Sequence, residues 1–167
     1  MDENSIILSI KPQHANKIFS GEKKFEFRKR IWTDPYTRKV YVYSSAPIKM
    51  IIGHFYINHV FTDHPSGLWD FFDFEREAAI SKEEFFEYFG EGITAHAIEI
   101  TKPLKFQVPI NPKEFDPEFR APQNFMYIDG VNEDLQAKLI KTSMIEKFQE
   151  QIARLQAIVE KRGGLFR

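Results

Sequence analysis

The sequence predicts an α+β fold: a small, partly open mixed β-barrel with short helices, followed by a long C-terminal helix. Three observations predict it. Short segments whose apolar residues alternate with period two recur through the first 130 residues. Between them lie segments of helical period, so the helices interrupt strands that are otherwise mostly sequential. From Asn132 a single helical period runs on to about Lys161. On this reading residues 1–130 form one domain and residues 131–167 a helical extension.

The elements follow in order. SIILSI, residues 5–10, reads as a buried strand ended by Lys11-Pro12. Pro12 suits the first turn of a short helix over 12–19, in which Ala15, Ile18 and Phe19 have helical spacing. Ser20-Gly21 closes that helix. The next ten residues, GEKKFEFRKR (21–30), hold seven charges and two phenylalanines. As a regular strand they place Lys24, Glu26, Arg28 and Arg30 on one face and Lys23, Phe25, Phe27 and Lys29 on the other. RKVYVYSS (38–45) alternates as a strand, and KMIIGHFYINHVF (49–61) reads as a longer one with Gly53 as a bulge or close-approach point. Residues 65–80 and 81–90 carry acidic and aromatic residues at helical spacing; Ser81 with Glu84 makes a capping box, and Gly90 or Gly92 a stop. ITAHAIEI (93–100) and LKFQV (104–108) read as two strands separated at Pro103. Residues 109–124, with four prolines, predict an ordered surface loop, and NFMYID (124–129) a last short strand. The final helix is capped by Asn132 and stopped by Gly163-Gly164. Leu135 and Leu139 lead there into Ile145, Phe148, Ile152, Leu155 and Val159, spaced three and four apart. This stripe predicts a helix packed on its own domain, with a short dimerising coiled coil as the alternative, because Lys138 and Lys141 interrupt the seam upstream.

Bulk composition narrows the class. The chain of 167 residues is 43% hydrophobic with 17 phenylalanines, enough for a real core. It has no cysteine, which excludes disulfide and thiolate chemistry and fits a reducing compartment. The acidic N-terminus lacks a secretory pattern and no stretch has the roughly 20 apolar residues of a membrane span, so a soluble cytoplasmic protein is expected. The net charge of −1 hides an asymmetry: residues 1–30 hold seven Lys/Arg against four Asp/Glu, whereas residues 63–91 hold two against nine. A basic surface for an anionic ligand beside an acidic lobe is one reading; segregation on solvated faces is the other. The five histidines, His14, His54, His59, His64 and His96, form no recognised ligand spacing, so no metal is expected. No phosphate-binding loop, dinucleotide fingerprint or nucleophile elbow is present, and no cofactor is expected.

The stretch LSIKPQHANKIFSGEKKFEFRKR resembles the start of ASCH domains, which have the PUA-like fold. That family carries a G-x-K-x-x-E-x-R motif after a strand and a helix, matched here by Gly21, Lys23, Glu26 and Arg28. APIKMIIGHFYI, ISKEEFFEYFG with AHAIEI, and APQNFMYID are similar to segments of bacterial, archaeal and phage members, so the resemblance spans roughly residues 5–129. It implies a pseudo-barrel with a cleft beside the first helix, where the motif residues gather. PUA-like domains commonly bind RNA. Some ASCH proteins hydrolyse 4-acetylcytidine, and at least one is associated with RNA cleavage. In the acetylcytidine group the motif lysine, matched by Lys23, is catalytically placed, whereas Glu26 stands where that group carries a threonine.

The residues permit a binding site and an enzyme site. Arg28 offers a planar fork for phosphate or a base edge. Lys23 suits a phosphate contact when charged, or a general base if Arg28 and burial lower its pKa. Glu26 can hold either cation. Because Lys23 has the opposite parity to Glu26 and Arg28, the three share a site only if the strand begins with a bulge or twist. A structural ion-pair ladder on an exposed face is the plain alternative. Trp32, Tyr36, Tyr41 and Tyr43 are candidates for base stacking or for core.

Three functions follow as expectations. The first is binding of RNA or single-stranded nucleic acid through Gly21, Lys23, Glu26 and Arg28, with Lys11, Lys24 and Arg30 in support. The second is hydrolysis of a modified nucleoside or of RNA, with Lys23 and Glu26 catalytic. The third is a protein-binding module using the acidic helices or the C-terminal helix.

Overall fold

The structure, a computed structural model, describes residues 4–164; the outer ends of both predicted segments, residues 1–3 and 165–167, lie outside the described residues. Its frame is one curled six-stranded mixed sheet: β1 (Asn4–Ile10), β2 (Phe25–Arg28), β3 (Thr37–Ser44), β4 (Met50–Asp63), β5 (Ala95–Ile110) and β6 (Phe125–Tyr127), in the order β2-β5-β4-β3-β1-β6. β1 lies parallel to β3 and every other pairing is antiparallel. This is the α+β, PUA-like architecture expected from the sequence.

β1 is buried on both faces, as its unbroken apolar run requires. Ile6, Leu8 and Ile10 pack inside the curl with Ala15, Ile18, Val42, Phe55 and Ile98. Ile7 points the other way, to Tyr41, Phe106, Leu135 and Leu139. The helix α1 (Pro12–Ser20) starts on Pro12 and ends at Gly21, whose φ of 86° only glycine adopts cheaply. Gly53 sits at a register shift between β3 and β4, where an added Cβ would strike the Leu104 carbonyl oxygen and the Phe19 ring. The close approach read from the sequence is therefore real.

Three short helices, α2 (Pro65–Phe71), α3 (Phe74–Glu77) and α4 (Lys82–Phe89), form a lid over the apolar face of β2. Phe25 and Phe27 enter a cluster with Leu68, Phe74, Phe85 and Phe89, and the Phe27 ring meets Phe74 edge-on at 4.7 Å and Phe85 at 5.1 Å. Ser81 caps α4 by accepting from the Glu84 amide, and Gly90 ends it. Phe71, by contrast, is exposed, so the aromatic residues of the lid do not all reach one core.

Three expectations are corrected. The segments 93–100 and 104–108 are one 16-residue strand, β5, because pairing with β4 continues past Pro103 through register shifts while Lys102 takes a φ of 50°. The expected loop after it begins only beyond Ile110 and contains a 3-10 turn at Pro112–Glu114. The long helix α5 (Glu133–Gly164) buries Leu135, Leu139 and Ser143, but from Lys147 to Gly164 every residue is exposed. Its apolar stripe therefore packs on its own domain at Leu135 and Leu139 but not from Phe148 onward.

Candidate functional site

β2 is four residues long and buried throughout. Phe25 and Phe27 face the lid, and Glu26 and Arg28 face the opposite way, toward α1 and the end of β1. The polar face read from the sequence is thus neither solvated nor a surface ladder: Glu26 is 6% and Arg28 9% exposed. Lys23 precedes the strand, so the strand's parity does not bind it. Its amide donates to the Lys17 carbonyl at the end of α1, and the Lys24 amide donates to Glu77 of the lid. This turn delivers Lys23 to the same polar cluster. Its Nζ lies 3.8 Å from Glu26 Oε2 and 4.8 Å from the centre of the Phe27 ring. Glu26 Oε1 accepts from an Arg28 terminal nitrogen at 3.0 Å.

Arg28 does more than pair with Glu26. One terminal nitrogen also donates to the Ser9 carbonyl at 2.6 Å, and the other to Asn124 Oδ1 at 3.0 Å. Asn124 Nδ2 in turn donates to the Arg30 carbonyl at 2.8 Å. β2 stands at one edge of the sheet and β6 at the other; residue 124 leads into β6, and Ser9 lies beside it on the neighbouring β1. Arg28 therefore clasps the two edges of the incomplete barrel. Its buried Nε has no hydrogen-bond partner among the described residues.

These residues floor a cleft of about 800 Å³ bounded by α1, the β3–β4 turn, α4 and residues 121–123. The floor holds two cations and one carboxylate, each desolvated. Burial foremost pulls the Lys23 amine below its ordinary pKa; Glu26 and then Glu84 oppose that pull, and Lys17 and Arg28 add to it. His14, on α1, lines the cleft with Nε2 3.5 Å from Glu84 Oε1 and with a buried Nδ1 that has no hydrogen-bond partner among the described residues. Burial, with the Lys23 charge second, lowers its pKa and favours the neutral imidazole. Tyr43 also lines the cleft, and burial raises its pKa.

Of the residues singled out in the sequence, Lys23, Glu26 and Arg28 form one cluster, and Lys11 lies exposed at the cleft rim. Gly21 shapes the turn that sets Lys23 in place. Lys24 and Arg30 are exposed and stand outside the cleft lining. Trp32 and Tyr41 are core, Tyr36 is exposed, and Tyr43 alone of the four aromatics faces the cleft. Sequence reasoning missed His14, weighed only as a metal ligand, and also Lys49, Glu84, Glu87 and Tyr88, which reach the cleft from distant segments. The one available signal for His14 was its helical register, one residue from the buried Ala15 on a helix that leads into the motif. Among the described residues no group of three or more His, Asp or Glu is placed to hold a metal ion, and no helix is long and apolar enough to cross a membrane.

A curled mixed sheet, a helix leading into the turn before β2 and a cleft floored by Lys23, Glu26 and Arg28 define a PUA-like fold. No family model matches the chain. An "ASCH domain-containing ribonuclease" of Zymomonas mobilis is 29% identical over 150 residues, covering 87% of this chain and 97% of that protein. The crystal structure of ASCH from Zymomonas mobilis superposes with a TM-score of 0.70 at 27% identity, over 84% of this chain and 96% of that one. The large ribosomal subunit protein uL22 of Ureaplasma parvum is 28% identical over 127 residues, which are 74% of this chain and 39% of that protein. In sequence and in fold the chain is similar to these ASCH-domain proteins.

Proposed function

We propose that the cleft binds RNA by its phosphodiester backbone and cleaves it. The observation that carries this reading is the buried surplus of positive charge: Lys23 and Arg28 share one carboxylate, Glu26, at the floor of an open cleft. A desolvated cation surplus favours an anion, and RNA supplies one per nucleotide. The resemblance to a ribonuclease of the same family supports RNA as the substrate class.

In this reading the charges of Arg28 and Lys23 draw a phosphate to the cleft floor, and Glu26 fixes both cations. Lys11 and Lys49 hold flanking phosphates at the rim, and Lys24 and Arg30 extend the contact beyond it. Cleavage proceeds by attack of the ribose 2′-oxygen on phosphorus with rupture of the bond to the 5′-oxygen. His14, neutral at its lowered pKa, takes the 2′-hydroxyl proton. Lys23, made more acidic by burial, gives a proton to the departing 5′-oxygen. The cation surplus offsets the charge that builds on the phosphoryl oxygens.

Anisotropy titrations with RNA and single-stranded DNA, together with cleavage of end-labelled RNA, test this. Affinity is expected to fall steeply between about 50 and 200 mM salt, and Lys23→Ala to abolish cleavage. Absence of binding at low salt refutes the reading; binding without cleavage reduces it to a binding module. The cleft volume also admits a single modified nucleoside, with Lys23 as base and Glu26 as its partner. Turnover of acylated nucleosides that Lys23→Ala eliminates, with RNA left intact, would favour that second reading.

A further inference from the structure

We infer that the C-terminal part of α5 pairs with the same segment of a second copy of this chain as a parallel two-stranded coiled coil. At about 100° per residue, Leu135, Leu139, Ser143 and Glu146 lie along the side of the helix that meets the body. Phe148, Ile152, Leu155 and Val159 lie on roughly the opposite side, between 39% and 68% exposed, and Ile145, 46% exposed, stands at the edge of that stripe, where it also lines a hollow between α5 and residues 108–115. The seam spans about 21 Å of helix, and with Met144 and Ile158 beside it presents several hundred Å² of apolar surface, more than monomers usually leave uncovered.

The pattern identifies the occupant. The spacing alternates three and four, a period of 3.5 residues, which keeps a seam facing a partner helix and not a globular surface. Ile145, Ile152 and Val159 take the first heptad position, and Phe148 and Leu155 the fourth. β-Branched residues at the first position with leucine at the fourth favour two parallel strands. The positions that flank a seam, and that choose partners by charge, are Met144, Gln149, Gln151, Gln156 and Ile158. None is charged, so two identical helices meet without repulsion and nothing selects a charged, unlike partner. The charges fall outside the seam and its flanks, and Glu150 and Arg154 pair within the helix at 2.8 Å. Lys141 and Arg162 bound the seam at either end. A parallel pairing sets both bodies at the same end of the coiled coil, with their two clefts in one assembly.

Light scattering on the full chain after size exclusion tests this. Twice the chain mass is expected for the native protein, and a twofold lower mass for Ile152→Glu and for Val159→Glu, both at exposed positions where the body's melting temperature should stay unchanged. The chain has no cysteine, so Leu155→Cys reports orientation directly: in a parallel register it meets its own copy and oxidises to a disulfide-linked dimer. A monomeric native chain overturns the proposal and leaves the seam to another protein. A dimer that survives both glutamate variants overturns the seam, and a dimer in which Leu155→Cys does not cross-link overturns the parallel arrangement.

Discussion

Replacing Glu26 by glutamine keeps the shape of the cleft floor and removes its only negative charge in contact with Lys23 and Arg28. The structure sets the size of the effect. Glu26 lies 3.8 Å from Lys23 Nζ and 3.0 Å from Arg28, with all three side chains nearly buried. A unit-charge pair at such a distance is worth about 4 kcal/mol at an effective dielectric constant near 20. Part of this is recovered, because glutamine still accepts from Arg28 and Lys23 can shed its proton. A net loss of about 3 kcal/mol, at the low end for a broken buried pair, is expected. For a chain of this size that lowers the melting temperature by roughly 6–12 °C. The pH dependence follows from Lys23. Its folded pKa lies below the ordinary 10.5, so its charged form costs stability, and the cost fades as pH rises through the folded value toward the unfolded one. Without Glu26 the folded pKa falls further. The deficit of Glu26→Gln against the native protein is therefore largest near neutral pH and shrinks toward about pH 10. Thermal melts followed by circular dichroism at both pH values measure it, and the double variant Lys23→Met/Glu26→Gln should regain part of the loss. A deficit equal at both pH values, or a double variant as unstable as Glu26→Gln, would refute the account of Lys23 as a charged group held by Glu26.

Other expectations are simpler. His14→Gln should lower RNA cleavage by about 10²–10⁴-fold with affinity nearly unchanged, and native cleavage should rise with pH through a pKa below the ordinary 6.5 of histidine, both read from single-turnover rates. Gly53→Ala forces a methyl group against the Leu104 carbonyl and the Phe19 ring and should cost about 2–3 kcal/mol in denaturant unfolding. Asn132→Ala removes the side chain that accepts from the Leu135 amide at 2.9 Å and should cost about 1 kcal/mol by the same measurement.

What the sequence revealed were features written in local pattern. The Pro12 start and Gly21 end of α1, the Ser81 cap, the close approach at Gly53 and the doubly buried β1 each have a cause within a few residues, and the structure contains each. The cluster of Lys23, Glu26 and Arg28 was legible too, on the condition of a bulge or twist before the strand, and the structure meets that condition with a turn that precedes β2 at Phe25. β5 was split because Pro103 is a strong local breaker, whereas its pairing with β4 is decided across the sheet. Most of the cleft wall was invisible: His14, Lys49, Glu84, Glu87 and Tyr88 come together only once the barrel curls and the lid settles. The seam of α5 was seen, but its partner was taken to be the body, because periodicity marks an apolar face and does not say what meets it.

The Arg28 clasp gives the barrel a property that a fully hydrogen-bonded barrel lacks. Along the gap between β2 and the opposite edge, the described contacts run from side chain to side chain or backbone, through Arg28, Asn124 and Ser9, in place of a strand ladder. A clasp of this kind can yield without unzipping a strand, so the gap is the natural line along which the cleft can widen. The guanidinium that fastens the gap also belongs to the cleft floor. An anion drawn to it adds a strut across the same line, so a filled cleft and a closed barrel reinforce each other.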